Sequence, residues 1–270
     1  MHGVSAIFDT LRSVTGKRRL FVAAALVATA MAGVAAPAHA TTESGIGTTV
    51  VTVRSVTGQL GQNERDLGVG DRVFLNELLE TGSDSHAELQ LDDDTKLALG
   101  PNGSLTLDDY VVGGGEGSGR VVLNVLKGAF RFITGENDKD AYRIDTPSAT
   151  IGVLGTVFDL YVYDEDETLL LLLEGEVEIC SRTAPGSMGG CKSLSEPNQL
   201  IYSCGEGVLT DPIKWSDSLL PDTPVTTAFP FLQDAPQIDP VKRSEYSEIS
   251  DESDEARRLI AIARERCRTR

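Results

Sequence analysis

The chain has 270 residues, of which 40% are hydrophobic, and a formal net charge of -17 from 41 Asp and Glu against 24 Lys and Arg. That composition can fill one large all-β domain or two smaller domains. So acidic a surface excludes binding through nucleic-acid phosphates or docking on anionic lipid, both of which need clustered positive charge.

Arg12, Lys17, Arg18 and Arg19 lead into an apolar, Ala-rich run from Leu20 to Ala36, and Ala38-His39-Ala40 closes it. A basic region, an apolar region and a small-x-small site make a secretory signal peptide. Residues 1–40 are therefore expected to be removed after Ala40, leaving a periplasmic or secreted protein. A run of 17 residues is at the lower edge of what spans a bilayer, so a retained anchor is the alternative. No other segment approaches a span, and none is expected after cleavage. Cleavage leaves 20 basic and 40 acidic residues and one histidine, His86. One histidine cannot build a multi-His metal site, and His86 reads as a turn or strand residue.

From Thr48 to Thr210 the pattern is strand, turn, strand. Val50–Val53 is β-branched. His86–Leu91 alternates with period two, Asp92–Thr95 breaks it, and Lys96–Leu99 resumes it. Gly100–Gly103 is the next turn and Ser104–Leu107 the next strand. Gly113–Gly119 must be a loop. It is not a phosphate cradle, because no Lys-Ser or Lys-Thr pair follows. Val121–Leu126, Ala129–Ile133, Val157–Tyr163, Thr168–Leu173, Glu176–Ile179 and Leu200–Tyr202 complete the strands. Short alternating runs between turn residues predict half-buried antiparallel strands. Runs that are apolar throughout, such as Leu169–Leu173, predict strands buried on both faces. Asp164–Glu167 reads as a solvated hairpin loop. A weak internal repeat relates Glu80–Ser83 and Ala87–Leu91 to Asp145–Ser148 and Phe158–Val162. Trp215, the only Trp, is expected to pack at the end of the β body.

Residues 216–249 are rich in proline and read as an extended linker with little to pack. Residues 250–270 form a helix. Ser250 or Ser253 can cap it, acidic residues crowd its first turn, and Arg264, Arg266 and Arg268 its last. Ala256, Leu259, Ile260, Ala263 and Cys267 fall on one apolar stripe. The four cysteines are Cys180, Cys191, Cys204 and Cys267. In an oxidising compartment an even number favours two disulfides. Their spacing fits no zinc or CxxC redox motif, and three pairings are possible. The favoured one closes Cys180–Cys191 across a β-connection and leaves Cys204–Cys267 to staple the helix to the body.

Ala149-Thr150-Ile151-Gly152-Val153-Leu154-Gly155-Thr156-Val157-Phe158 resembles the A-x-x-G-V-x-G-T-x-F signature of the FecR protein family. Gly70-Asp71-Arg72-Val73, Glu80-Thr81-Gly82 and Leu173-Glu174-Gly175-Glu176-Val177 resemble its flanking elements in order. Ala87-x-Leu89-x-Leu91 before Asp92–Thr95 resembles its hairpin, with Asp94 where the family prefers glycine, which suggests a different turn type. The resemblance covers about residues 48–180. Gly152 and Gly155 are read as flanking a tight corner, where positive φ or close backbone approach is needed. Thr156 is read as bonding that turn and Phe158 as filling the core. The signature holds no acid, base or nucleophile, so its role reads as structural.

The resemblance implies an all-β domain over 45–215, a FecR-like sandwich or a short β-solenoid of antiparallel hairpins, before the linker and helix. The family's best-known members are inner-membrane regulators of iron uptake that contact a sigma factor in the cytoplasm. Here only 19 residues precede the apolar run, too few for a folded sigma-binding region. The chain looks more like a stand-alone secreted FecR-domain protein. It is expected to be non-enzymatic, to use no cofactor or metal, and to bind an extracytoplasmic protein or cell-envelope ligand. One alternative is an envelope or matrix protein with an acidic surface, where Asp92, Asp93 and Asp94 could bind calcium. A second is a membrane-anchored sigma-factor regulator. An enzyme with paired carboxylates would need one distinguished acidic pair, and the sequence singles out none.

Overall fold

The computed structural model describes residues 45–111, 119–163, 166–184, 187–205, 207–214, 223–239 and 253–268. The expected signal segment, most of the glycine loop, the Asp164-Glu165 tip and Trp215 lie outside them. The chain forms β1 (Gly45–Val53), β2 (Val56–Leu60), β3 (Asn63–Asp66), β4 (Arg72–Phe74), β5 (Glu77–Thr81), β6 (His86–Leu91), β7 (Lys96–Leu99), β8 (Ser104–Val111) and β9 (Arg120–Ile133). Then follow β10 (Tyr142–Asp145), β11 (Ala149–Val153), β12 (Val157–Val162), β13 (Glu167–Glu174), β14 (Val177–Ala184), β15 (Ser187–Leu194), β16 (Gln199–Cys204), β17 (Val208–Leu209) and β18 (Ile213–Lys214). The helices are α1 (Val225–Ala228) and α2 (Ser253–Arg268).

The strands build two sheets that face each other and do not close into a barrel. Sheet A runs β4-β1-β6-β7-β9-β12-β13-β16, with β17 and β18 at its edge. Sheet B runs β3-β2-β5-β8-β9-β10-β11-β14-β15. Hairpins alternate between the sheets along the chain: β6-β7 lies in A, β10-β11 in B, β12-β13 in A and β14-β15 in B. The sandwich is thus wound as a flattened solenoid, and the two expected architectures describe one object.

β9 belongs to both sheets. Its first half pairs with β8 and β10, and its second half with β7 and β12. The bend falls at Gly128, whose φ is +88. A Cβ there would sit 2.7 Å from the Gly103 Cα, so only glycine fits. After β9 the chain returns to sheet B, which makes β9–β10 the one parallel pairing among the described strands.

Leu79, Leu89, Leu97, Leu105, Leu123, Phe130, Phe132, Ile151, Phe158 and Leu172 meet in the core between the sheets. Sheet B alternates buried and accessible residues, as in β11, because its outer side faces water. β13 is buried at six successive positions, because sheet A is covered on its outer side too. There Leu169, Leu171, Leu173, Leu200 and Tyr202 pack under Ala228, Phe229, Ile260 and Ala263. Ala98 and Ala129 pack under Phe231 and Ile238.

This second core corrects the reading of residues 216–249 as an extended linker. Their described part, 223–239, is a packed strap containing α1 and a 3-10 turn at Pro230–Leu232. Proline breaks helix interiors but is suited to the first position of a helix, where no amide donor is needed. Pro230 starts the 3-10 turn in that position. Phe229 and Phe231 supply the burial that the proline content obscured.

Three local expectations also change. Leu259 is 36% exposed, while Ile260 and Ala263 are buried. The docked stripe of α2 follows the 260, 263, 267 spacing, from whose centre residue 259 lies about 70° away. Glu80–Ser83 forms a corner between sheets, whereas Asp145–Ser148 turns a hairpin within sheet B, so these segments of the internal repeat are not equivalent, while Ala87–Leu91 and Phe158–Val162 both lie in sheet A. Asp94 adopts φ +62, with its amide bonded to the Leu91 carbonyl and the Leu91 amide to the Thr95 carbonyl. That is a type I turn with a left-handed residue after it, the conformation glycine would take. The turn type is therefore unchanged, and aspartate tolerates the conformation.

Candidate functional site

The signature residues lie where three crossings between the sheets stack. Gly155, at φ +79, makes the corner from β11 to β12. Gly175, at φ +86, makes the corner from β13 to β14, and a Cβ on it would collide with the Gly155 carbonyl. Thr156 donates from Oγ1 to the Glu176 carbonyl at 2.7 Å, and its amide donates to Thr134 Oγ1 at 2.7 Å. Phe158 stacks on Phe132 with ring centroids 5.3 Å apart. Gly152 departs from expectation. It sits inside β11, and a Cβ there would meet nothing closer than the Glu178 carbonyl at 4.0 Å. The corner therefore depends on Gly155 and Gly175 rather than on Gly152 and Gly155.

Both cysteine pairs are bonded, Cys180 to Cys191 and Cys204 to Cys267. Cys180 and Cys191 face each other directly across β14 and β15. Cys267 ties α2 to the end of β16. Among the described residues, Glu178 with Cys180 and Cys191 is the only group close enough to hold a metal. Both sulfurs are consumed in the disulfide, so no thiolate is offered.

Two buried polar centres were not legible in the sequence. The first lies on the outer face of sheet A, where Glu88, Ala98, Arg131 and Asp159 stand in register on β6, β7, β9 and β12. Arg131 is 0% exposed. It donates to both Asp159 oxygens at 2.6 and 2.8 Å and to Asp239 of the strap at 3.3 Å. Its guanidinium also lies over the Phe231 ring at 5.7 Å. Glu88 accepts the Gln237 and Ile238 amides at 3.0 and 2.9 Å. This cluster clamps the strap to the sheet. Period two places Glu88, Arg131 and Asp159 on the outer face, but no local pattern reveals that a segment over a hundred residues away would cover them.

The second centre is Asp93, 4% exposed, in the Asp92–Thr95 turn. Its carboxylate accepts from the Thr95 amide and hydroxyl at 3.1 and 2.8 Å. It also accepts from Asn137 Nδ2 at 2.8 Å and from the Tyr142 and Tyr110 hydroxyls at 3.0 and 3.3 Å. Asp92 turns away to a bidentate pair with Arg72, and Asp94 to Gln90. The three aspartates do not converge, so this turn is a structural knot rather than a cation site.

Burial, reinforced by the Asp93 charge, raises the Tyr142 phenol to about 12. Burial also raises Tyr110 and Tyr202, helped by Asp93 and Glu167 respectively. A phenol whose folded pKa exceeds its unfolded value of about 10 keeps its proton longer when folded. Its contribution to stability is complete below pH ~10 and is lost as pH rises toward the folded value. In an absorbance titration these three phenols are therefore expected to ionise together with unfolding. Ordinary ionisation with the far-ultraviolet dichroism unchanged would contradict this.

Residues 77–178 match the family model described as FecR protein, a stretch from β5 into β14 that contains the stacked corners. Two crystal structures of a candidate anti-sigma factor from Parabacteroides distasonis ATCC 8503 are similar, at 19% and 18% identity and a TM-score of 0.39 in both cases. Each alignment covers 53% of this chain and 61% of the other, so the chain spans less than two thirds of their length. No curated protein matches the chain.

Proposed function

We propose that the chain, which carries a FecR domain over residues 77–178, is an exported, non-enzymatic module of extracytoplasmic signalling. It binds a protein or envelope ligand outside the cytoplasm and needs no cofactor. The family match carries the signalling part of this reading. Export is supported by the basic-then-apolar N-terminus with its Ala38-His39-Ala40 site. Two disulfides in the described structure also suit an oxidising compartment. Among the described residues no helix is long and apolar enough to cross a membrane.

The intact mass of the protein from its own host tests export. The expected chain starts at Thr41 and gains four hydrogens on reduction. A mass that retains residues 1–40 would overturn release. Deleting the gene is expected to alter host transcription. An unaltered transcript profile would remove the signalling part and favour a purely structural envelope role.

A further inference from the structure

At one end of the sandwich the crossings between sheets leave a cleft of about 550 Å³, within the range of small-molecule sites. Ser83 enters it from the β5–β6 corner, Asn102 from the β7–β8 turn and Lys127 from the bend of β9. Tyr161 and Tyr163 line it from the end of β12, and Thr227 of α1 from the strap. The strap thus forms one wall, and the cleft exists only in the assembled protein.

Its chemistry differs from the rest of the molecule. The chain carries 41 acidic residues against 24 basic ones, yet no described residue lining this cleft is acidic, and Lys127 supplies a positive charge. Lys127 is exposed and has no carboxylate partner among the described residues. The two tyrosine rings stand 6.2 Å apart at 66°. That angle offers ring faces in two directions but no parallel slot for a flat aromatic ligand. Tyr163 is 37% exposed. Its ring is braced by Arg264 at 5.4 Å, which Glu167 holds at 2.8 Å. The remaining walls offer hydroxyl and amide groups.

Aromatic faces suit the C–H face of a pyranose ring, hydroxyls and amides suit its hydroxyls, and an unpaired ammonium suits a carboxylate. We propose that this cleft binds an acidic saccharide: a pyranose carrying a carboxylate, stacked on Tyr163 with its charge on Lys127. The proposal is independent of the signalling role and of where the protein resides.

The test titrates the full purified chain with a β-1,4-linked diglucuronate and with cellobiose, its carboxylate-free match, by calorimetry and by amide chemical shifts. Diglucuronate is expected to bind more tightly, to shift resonances around the cleft, and to weaken as salt is raised. Lys127→Gln is expected to weaken diglucuronate roughly tenfold, which is about 1.4 kcal/mol, and to leave cellobiose unchanged. Tyr163→Ala is expected to weaken both. Both side chains are accessible, and unchanged circular dichroism will show that the variants fold. The proposal is overturned if neither sugar binds at millimolar concentration, if both bind equally, or if Lys127→Gln leaves the preference intact.

Discussion

Replacing Arg131 with methionine is expected to lower the unfolding free energy by about 3–5 kcal/mol, the usual result of removing one partner from a buried ion pair. Arg131 is fully buried, and its Nε and Nη2 donate to Asp159 and its Nη1 to Asp239. Methionine fills much of the volume, so the loss arises from two buried carboxylates that lose their guanidinium partner rather than from a cavity. Joint replacement, Arg131→Met with Asp159→Leu, is expected to recover part of the loss, because well-packed apolar groups often equal a buried ion pair. The strap should also loosen, since Asp239 loses its ion pair with Arg131. Urea unfolding of the single and double variants measures the first effect, and limited proteolysis measures the second. A single variant as stable as the parent would show that the cluster is incidental to the fold.

Removing the Cys204–Cys267 disulfide, by reduction or by changing both cysteines to serine, is expected to cost about 4 kcal/mol. That is the loop-entropy value for a bridge spanning 63 residues. The effect should be local. α2 has 16 residues and an isolated helix of that length is marginal in water. Among the described residues, buried Ile260 and Ala263, the Arg264–Glu167 ion pair and the disulfide hold it down. Without the bridge α2 is expected to detach and melt, while the core between the sheets persists. Helical dichroism would fall, and a hydrophobic dye would bind the uncovered Leu169, Leu171 and Tyr202. Cys180 and Cys191 lie only 11 residues apart on strands already paired, so their removal should cost less. A Cys204–Cys267 variant with intact helical signal would contradict this account of α2.

Strand content was legible because a half-buried strand must alternate, as His86–Leu91 and Lys96–Leu99 do. β10 and β11 also alternate but are only four and five residues long, too short to stand out, while β3 and β15 lack the pattern altogether. β3 is entirely polar, and β15 carries two glycines beside its disulfide cysteine. Both lie at the edge of sheet B, where a single neighbour imposes little on the sequence. Gly155 was legible as a corner residue because a positive φ selects for glycine. Gly175 emerged as its partner only when the two corners were seen to stack. Lys127, Tyr161 and Tyr163 each look ordinary in their strands, and only the fold brings them to one cleft.

By itself the sequence determined the class of fold, the run of hairpins and the amphipathic terminal helix, each of which follows from local periodicity. It favoured one cysteine pairing of three without fixing it, because Cys204 and Cys267 are 63 residues apart. The tertiary structure alone decided that β9 serves both sheets and that residues 223–239 are a strap rather than a linker. It also decided that Glu88, Arg131 and Asp159 are buried. A period-two pattern states which residues share a face, but not whether that face meets water. Here a distant segment covers the face, and desolvation turns what would be exposed charges into the clamp that holds the segment in place.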